Sequence, residues 1–152
     1  MTGHESIRIA GIDYGTVRIG VALADTAIGI ASPYETYTRR SEEVDAKYFA
    51  HLVGTENIER FVVGLPVHLD GRESQKSIEA REFGHWLDLM TGVPVEFFDE
   101  RFTTAEADEL LSSVKFTKKQ RQARRDQLAA QIMLAAYLEA GGLGQESPGG
   151  IE

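Results

Sequence analysis

Residues 7–24 read IRIAGIDYGTVRIGVALA. Strand alternation puts Ile7, Ile9, Gly11 and Asp13 on one face and Arg8, Ala10 and Ile12 on the other, so a carboxylate closes the first strand. Tyr14-Gly15-Thr16 turns the chain, and Arg18 to Ala24 predicts a second strand. Asp25 to Gly29 then predicts a turn into a third strand that opens at Ile30-Ala31. Connections this short join antiparallel neighbours, because a parallel return needs a long crossover.

Downstream the period changes. Ser41 precedes a helical pattern that carries Val44, Tyr48, Phe49, Leu52 and Val53 inward and exits at Gly54 and Asn57. Phe61-Val62-Val63-Gly64-Leu65 is a continuous apolar run of the kind buried on both faces of a parallel sheet, and Pro66 closes it. After a loop at 67–73, Ser74 to Thr91 predicts a helix with Ile78, Phe83, Trp86, Leu87 and Met90 inward, and Val93 to Phe98 returns as a strand. Thr103-Thr104-Ala105-Glu106 matches a capping box for a helix to about Ser112; Thr117-Lys118-Lys119-Gln120 matches another. The second opens the longest helix, Lys118 to Ala140, with Leu128, Ile132 and Ala136 stacked beside Ala129, Met133 and Tyr137, and Gly141 ends it. This order predicts an α/β fold with a mixed five-stranded sheet, three antiparallel strands followed by two parallel ones, and helices on both faces. One domain is expected over residues 7–140, with a flexible N-terminus at 1–6. A disordered tail is expected at 141–152, where five glycines and Pro148 leave few apolar side chains.

At 152 residues, 42% apolar and 26% charged, the chain has the composition of one ordinary globular domain, and a domain this long buries roughly 68–70% of its unfolded surface. It holds no cysteine, which excludes a disulfide scaffold and fits a reducing compartment. No run approaches a membrane span and Met1 to Ser6 lacks an export signal, so a cytoplasmic protein without membrane contact is expected. The net charge of -8 argues against a generic nucleic-acid coat. Its distribution points the other way: Lys115, Lys118, Lys119, Arg121, Arg124 and Arg125 form a run without an acid. A solvated helix face and a polyanion-binding patch both fit that run.

Several chemistries fail at their first requirement, because there is no cysteine nucleophile, G-x-S-x-G, H-E-x-x-H or Walker-type phosphate loop. His51, His68 and His85 do not cluster by spacing and are expected to be structural or exposed. The carboxylates remain. Asp13 ends an apolar strand, where an ionised group resists burial unless it is paired or metal-bound. Asp99-Glu100 follows a parallel strand, at the edge where open sheets place ligands. Asp126 lies in the long helix directly after Arg124-Arg125. Acids from these three places are positioned to meet at one sheet edge, and oxygen ligands suit Mg2+ or Mn2+, which activate water against a phosphodiester. A turn-forming Asp13, helix-capping acids at 99 and 100 and a solvated Asp126 are the structural alternatives.

Four segments in order resemble the YqgF family: Gly11-Ile12-Asp13-Tyr14-Gly15-Thr16 with Arg18 to Ala22; Val63-Gly64-Leu65-Pro66; Asp99-Glu100-Arg101 with Thr103-Thr104; and Asp126 with Ala129-Ala130. These are ribonuclease H-like proteins known as Holliday junction resolvases and as pre-16S ribosomal RNA nucleases. The resemblance implies that Asp13, Glu100 and Asp126 bind the divalent metal and carry catalysis, with Asp99 less clearly a ligand. It makes Arg18 and Arg101 candidate phosphate-binding or site-organising groups, beside the basic side chains Lys118, Lys119, Arg121, Arg124 and Arg125. The implied activity is metal-dependent endonucleolytic cleavage of structured nucleic acid, foremost in 5'-end processing of pre-16S ribosomal RNA. The implied partners are structured RNA or four-way DNA junctions and ribosomal precursor particles, with the protein a monomer or homodimer. A non-catalytic nucleic-acid-binding module is the alternative from another class. An ATPase built on the D-x-G-T loop is a third, and it would need two domains closing over the nucleotide.

Overall fold

The structure, a computed structural model, describes residues 6–66, 74–99 and 118–141, without the side chains of residues 118, 119 and 121–123. The expected helix from Thr103, the loop at 67–73 and most of both termini lie outside the described residues. Strands β1 (Arg8–Asp13), β2 (Arg18–Asp25) and β3 (Ala31–Thr38) precede helix α1 (Glu42–Glu56). Then follow β4 (Ile58–Leu65), α2 (Gln75–Thr91), β5 (Val95–Asp99) and α3 (Lys118–Glu139). The sheet order is β3-β2-β1-β4-β5, antiparallel from β1 to β2 and β2 to β3, and parallel from β1 to β4 and β4 to β5. This is the expected mixed sheet. Among the described residues no helix is long and apolar enough to cross a membrane.

The helix ends follow local chemistry. Ser41 caps α1 by accepting from the Val44 N–H, and Asn57 ends it in the left-handed conformation at φ 54°. Ser74 caps α2 through the Ser77 N–H, and Gly92 closes it at φ 73°. Two apolar layers flank the sheet. One places Ala10, Ile12, Phe61 and Val63 against Phe49 and Leu52 of α1 and Phe83 and Leu87 of α2. The other sets Ile9, Ala22 and Val62 against Ala130, Met133, Leu134 and Tyr137 of α3.

The inward faces differ from expectation in places. Val44, Ile78 and Met90 are each 43% exposed, whereas Asp45 is fully buried. Its carboxylate accepts from the Tyr37 hydroxyl at 2.6 Å, the Arg40 N–H at 2.8 Å and Arg39 Nε at 3.3 Å. Burial pushes the Asp45 pKa up, but these donors outweigh it and hold it below the usual carboxylate range. In α3 the buried stripe is Ala130, Met133, Leu134 and Tyr137, while Leu128, Ile132 and Ala136 are half-buried beside it. Glycines set how closely α3 lies on the sheet. A Cβ on Gly20 would fall 2.0 Å from the Asp126 carbonyl oxygen, and one on Gly11 would fall 3.0 Å from Leu134 Cβ.

Gly20→Ala must therefore push α3 off β2, with a stability loss of about 1–3 kcal/mol in urea unfolding, typical of overpacking at a close contact. Gly11→Ala, facing a side chain that can yield, should cost less; equal stability of Gly20→Ala and the parent protein would refute this packing.

Candidate active site

Asp13 is the last residue of β1, on the strand face shared with Ile9 and Gly11, which pack under α3. Its antiparallel partner across the ladder is Gly20. Because Gly20 has no side chain, the backbone of Asp126 settles against it, and two acids 113 residues apart in sequence meet over one strand pair. Arg18, at the start of β2, donates from Nε to Asp126 Oδ2 at 3.0 Å. Both partners are partly exposed, so the ion pair contributes little stability, about 1 kcal/mol at most. Its effect is to aim the Asp126 carboxylate.

The electrostatics of Asp13 follow from this placement. Burial, and then the charge of Asp126, push its pKa from 3.8 up to about 7, against the pull of Lys76. Lys76, exposed at the start of α2, thus contributes its charge to the field at Asp13, and it was absent from the residues singled out in the sequence. A signal existed: Lys76 is in the first turn of α2, two residues after the Ser74 cap, where the helix dipole disfavours a cation unless an anion lies nearby. That helix starts from the carboxyl end of β4, the strand paired with β1.

The other expected residues divide. Asp99 ends β5, paired with Leu65, and is exposed. Glu100, Arg101 and Lys115 lie outside the described residues, as do the side chains of Lys118, Lys119 and Arg121; Arg124 and Arg125 are exposed on α3, beside Asp126. His51 and His85 are exposed, His85 packing on Phe97, and neither belongs to the site. Among the described residues no three acids or histidines gather closely enough to hold a metal ion. What is present is two-thirds of the expected triad, Asp13 and Asp126, at the carboxyl edge of the sheet where Asp99 leads into Glu100. A partly buried carboxylate that feels the charge of a second one is a hard-oxygen donor set that fits a divalent cation, since the cation would relieve both the desolvation and the repulsion.

The profile of the family described as RuvX: Holliday junction resolvase matches residues 7–140. The chain belongs to that family. Among its relatives, a protein of Rhodopirellula baltica named "Putative pre-16S rRNA nuclease" is 49% identical over 133 residues, covering 88% of this chain and 77% of the relative. A protein of the same name from Koribacter versatilis is 36% identical over 141 residues, covering 93% and 92%. Two solved structures share the fold at low identity. Thermus thermophilus RuvC in complex with Holliday junction substrate aligns with TM-score 0.52 at 14% identity, over 90% of this chain and 97% of RuvC. Fowlpox virus resolvase with its Holliday junction DNA aligns with TM-score 0.54 at 11% identity, over 91% and 100%. The RuvX sheet and its final helix are thus the ribonuclease H-like framework expected from the order of elements.

The raised pKa of Asp13 has a sign that can be tested on chelated protein. The unfolded chain ionises this group near 3.8 and the folded one near 7, so folding stability falls between those values and the full penalty is present above pH 7. In EDTA, Asp13→Asn should raise Tm at pH 8, by about 2–4 °C for each kcal/mol relieved, and leave it unchanged near pH 4. An Asp13→Asn protein less stable than the parent at pH 8 would contradict the repulsive setting of Asp13.

Proposed function

We propose that this chain is a metal-dependent endonuclease acting on phosphodiesters of structured nucleic acid, with 5'-end processing of pre-16S ribosomal RNA as its task. The observation that carries the reading is the meeting of Asp13 and Asp126 over Gly20 in a chain whose relatives bear that nuclease name. Asp13 and Asp126, with Glu100 from the segment after β5, are the ligands for Mg2+ or Mn2+. Such an ion supplies an activated water and charge stabilisation at the scissile phosphate. Arg18 keeps the Asp126 carboxylate in place, and Lys76 offsets the negative charge that a phosphate meets beside Asp13. Arg101 and the basic residues Lys118, Lys119, Arg121, Arg124 and Arg125 hold the polyanion against a body that is otherwise strongly acidic. A ribosomal precursor substrate makes the protein cytoplasmic.

The description of the matched family favours a second substrate, the four-way DNA junction, whose two-fold symmetry calls for a homodimer. One experiment separates these readings: purified protein incubated with precursor ribosomal RNA and with a four-way junction, each with Mg2+, with Mn2+ and with EDTA. Cleavage of the RNA that stops in EDTA is expected, and binding without cleavage under every condition would make the protein a non-catalytic module.

Asp13→Asn should lower cleavage by about a hundredfold or more while the protein stays folded, and wild-type rates in that variant would remove the proposed site. Lys118→Ala and Arg121→Ala should each weaken RNA binding and reduce the slope of log affinity against log salt by about one, as expected for a lost phosphate contact. An unchanged slope in both would assign the basic run to a solvated helix face.

A further inference from the structure

A concave feature lies on the other side of the sheet from α3. A cavity of about 260 Å³ opens between the start of α1 and the middle of α2. Its wall is a run of three rings: Tyr14 meets Phe83 at 5.0 Å between centroids, and Phe83 meets Trp86 at 5.4 Å. Glu79, Glu82, Phe83 and Trp86 stand at i, i+3, i+4 and i+7, so one face of α2 supplies two carboxylates and two of the rings. Glu42, from the first turn of α1, adds the third carboxylate and accepts from Trp86 Nε1 at 3.2 Å.

The charges around this cavity do not cancel. Arg39 lines it too, with its guanidinium 5.3 Å from the Tyr14 centroid and 5.6 Å from that of Phe83. That cation is committed to Asp45 at 3.3 Å and to the Tyr14 hydroxyl at 2.9 Å. Among the described residues no salt bridge reaches Glu42, Glu79 or Glu82. Glu79 accepts from Gln75 Nε2 at 3.2 Å, and among the described residues three such groups do not come close enough to chelate a metal ion. Aromatic faces attract cations through their quadrupole, and Arg39 already demonstrates that this wall accepts a stacked guanidinium. A nucleobase would also stack, but it brings phosphates towards three carboxylates. A planar cation satisfies both the rings and the acids.

We propose that this cavity is a socket for an arginine side chain on a basic protein partner, stacked beside Trp86 and paired with Glu79 and Glu82. It uses none of the residues assigned to metal binding and stands independently of the nuclease reading. Charge complementarity between a chain of net charge -8 and a basic segment would bring the partner to this side, while the lysine and arginine run lies on α3.

Trp86 is the single tryptophan of the chain, so its fluorescence reports the cavity directly. The test titrates full-length protein with an amidated arginine-glycine hexapeptide, the same peptide with citrulline in place of arginine, and guanosine monophosphate. Saturable, salt-sensitive change is expected with the arginine peptide only. Glu79→Gln/Glu82→Gln should weaken it at least about tenfold, as expected for two lost charged contacts, and leave cleavage of naked RNA unchanged. Both residues sit on the outer part of α2, and an unaltered starting spectrum shows that the variant cavity is intact. Equal response to the citrulline peptide, no response to arginine, a response retained in the double variant, or a saturable response to the nucleotide alone would each overturn the proposal.

Discussion

The close approach of α3 to β2 at Gly20 is the constraint on which the site depends. A strand of a sheet and the helix covering it normally keep side chains between them, which holds the backbones apart. Here the missing side chain at Gly20 lets the Asp126 carbonyl come within the space that a methyl group would fill. Gly20 is also the ladder partner of Asp13, so the same glycine that admits the helix fixes which acid it meets. The cost of bringing two carboxylates together is visible in the pKa of Asp13, lifted by burial and by Asp126. Structures retain such a repulsion only where the rest of the packing imposes it or a ligand relieves it.

Packing imposes it through leverage. The stripe Ala130, Met133, Leu134 and Tyr137 clamps the middle of α3 to Ile9, Ala22 and Val62, and the Tyr137 hydroxyl donates to Glu96, which pairs with Arg60 at 3.3 Å. Asp126 lies eleven residues before Tyr137, about 16 Å along a stiff helix at 1.5 Å per residue. The carboxylate is therefore positioned by apolar contacts that it does not itself make. Arg18 supplies the final adjustment with one directed contact.

Much of this was legible in the sequence because the relevant signals are local. Strand alternation ended β1 on Asp13, and short turns fixed the antiparallel meander. Ser41 and Asn57 marked the ends of α1, and the span from Ser74 to Thr91 located α2, whose caps are Ser74 and Gly92. The errors occurred where burial is decided by a third element. Val44 points outward and Asp45 inward because Tyr37, Arg39 and the Arg40 backbone present donors to that side of α1, and nothing in the helical period encodes them. Ile78 and Met90 flank the α2 face that meets α1 and β5, so they match the period while missing the core. Lys76 escaped notice because Asp13, whose ionisation its charge favours, lies far off in β1, and only the crossover from β4 brings the helix start towards it.

The two sides of the sheet present different charged groups, and the end of β1 is where they divide. Asp13 turns towards α3 and Tyr14 towards the layer of α1 and α2, as consecutive residues at a strand end must. On the first side Asp13 and Asp126 are partly buried, with Arg18 and the basic start of α3 beside them and the charge of Lys76 acting from the start of α2. On the second, Glu42, Glu79 and Glu82 surround aromatic rings, and Arg39, which lines the same cavity, is already held by Asp45. A uniform distribution of sixteen bases among twenty-four acids would repel a polyanion everywhere. Placing the basic run on α3 and three carboxylates on the other side gives an acidic chain two surfaces of different preference, and the single peptide bond between Asp13 and Tyr14 keeps those surfaces in fixed relation.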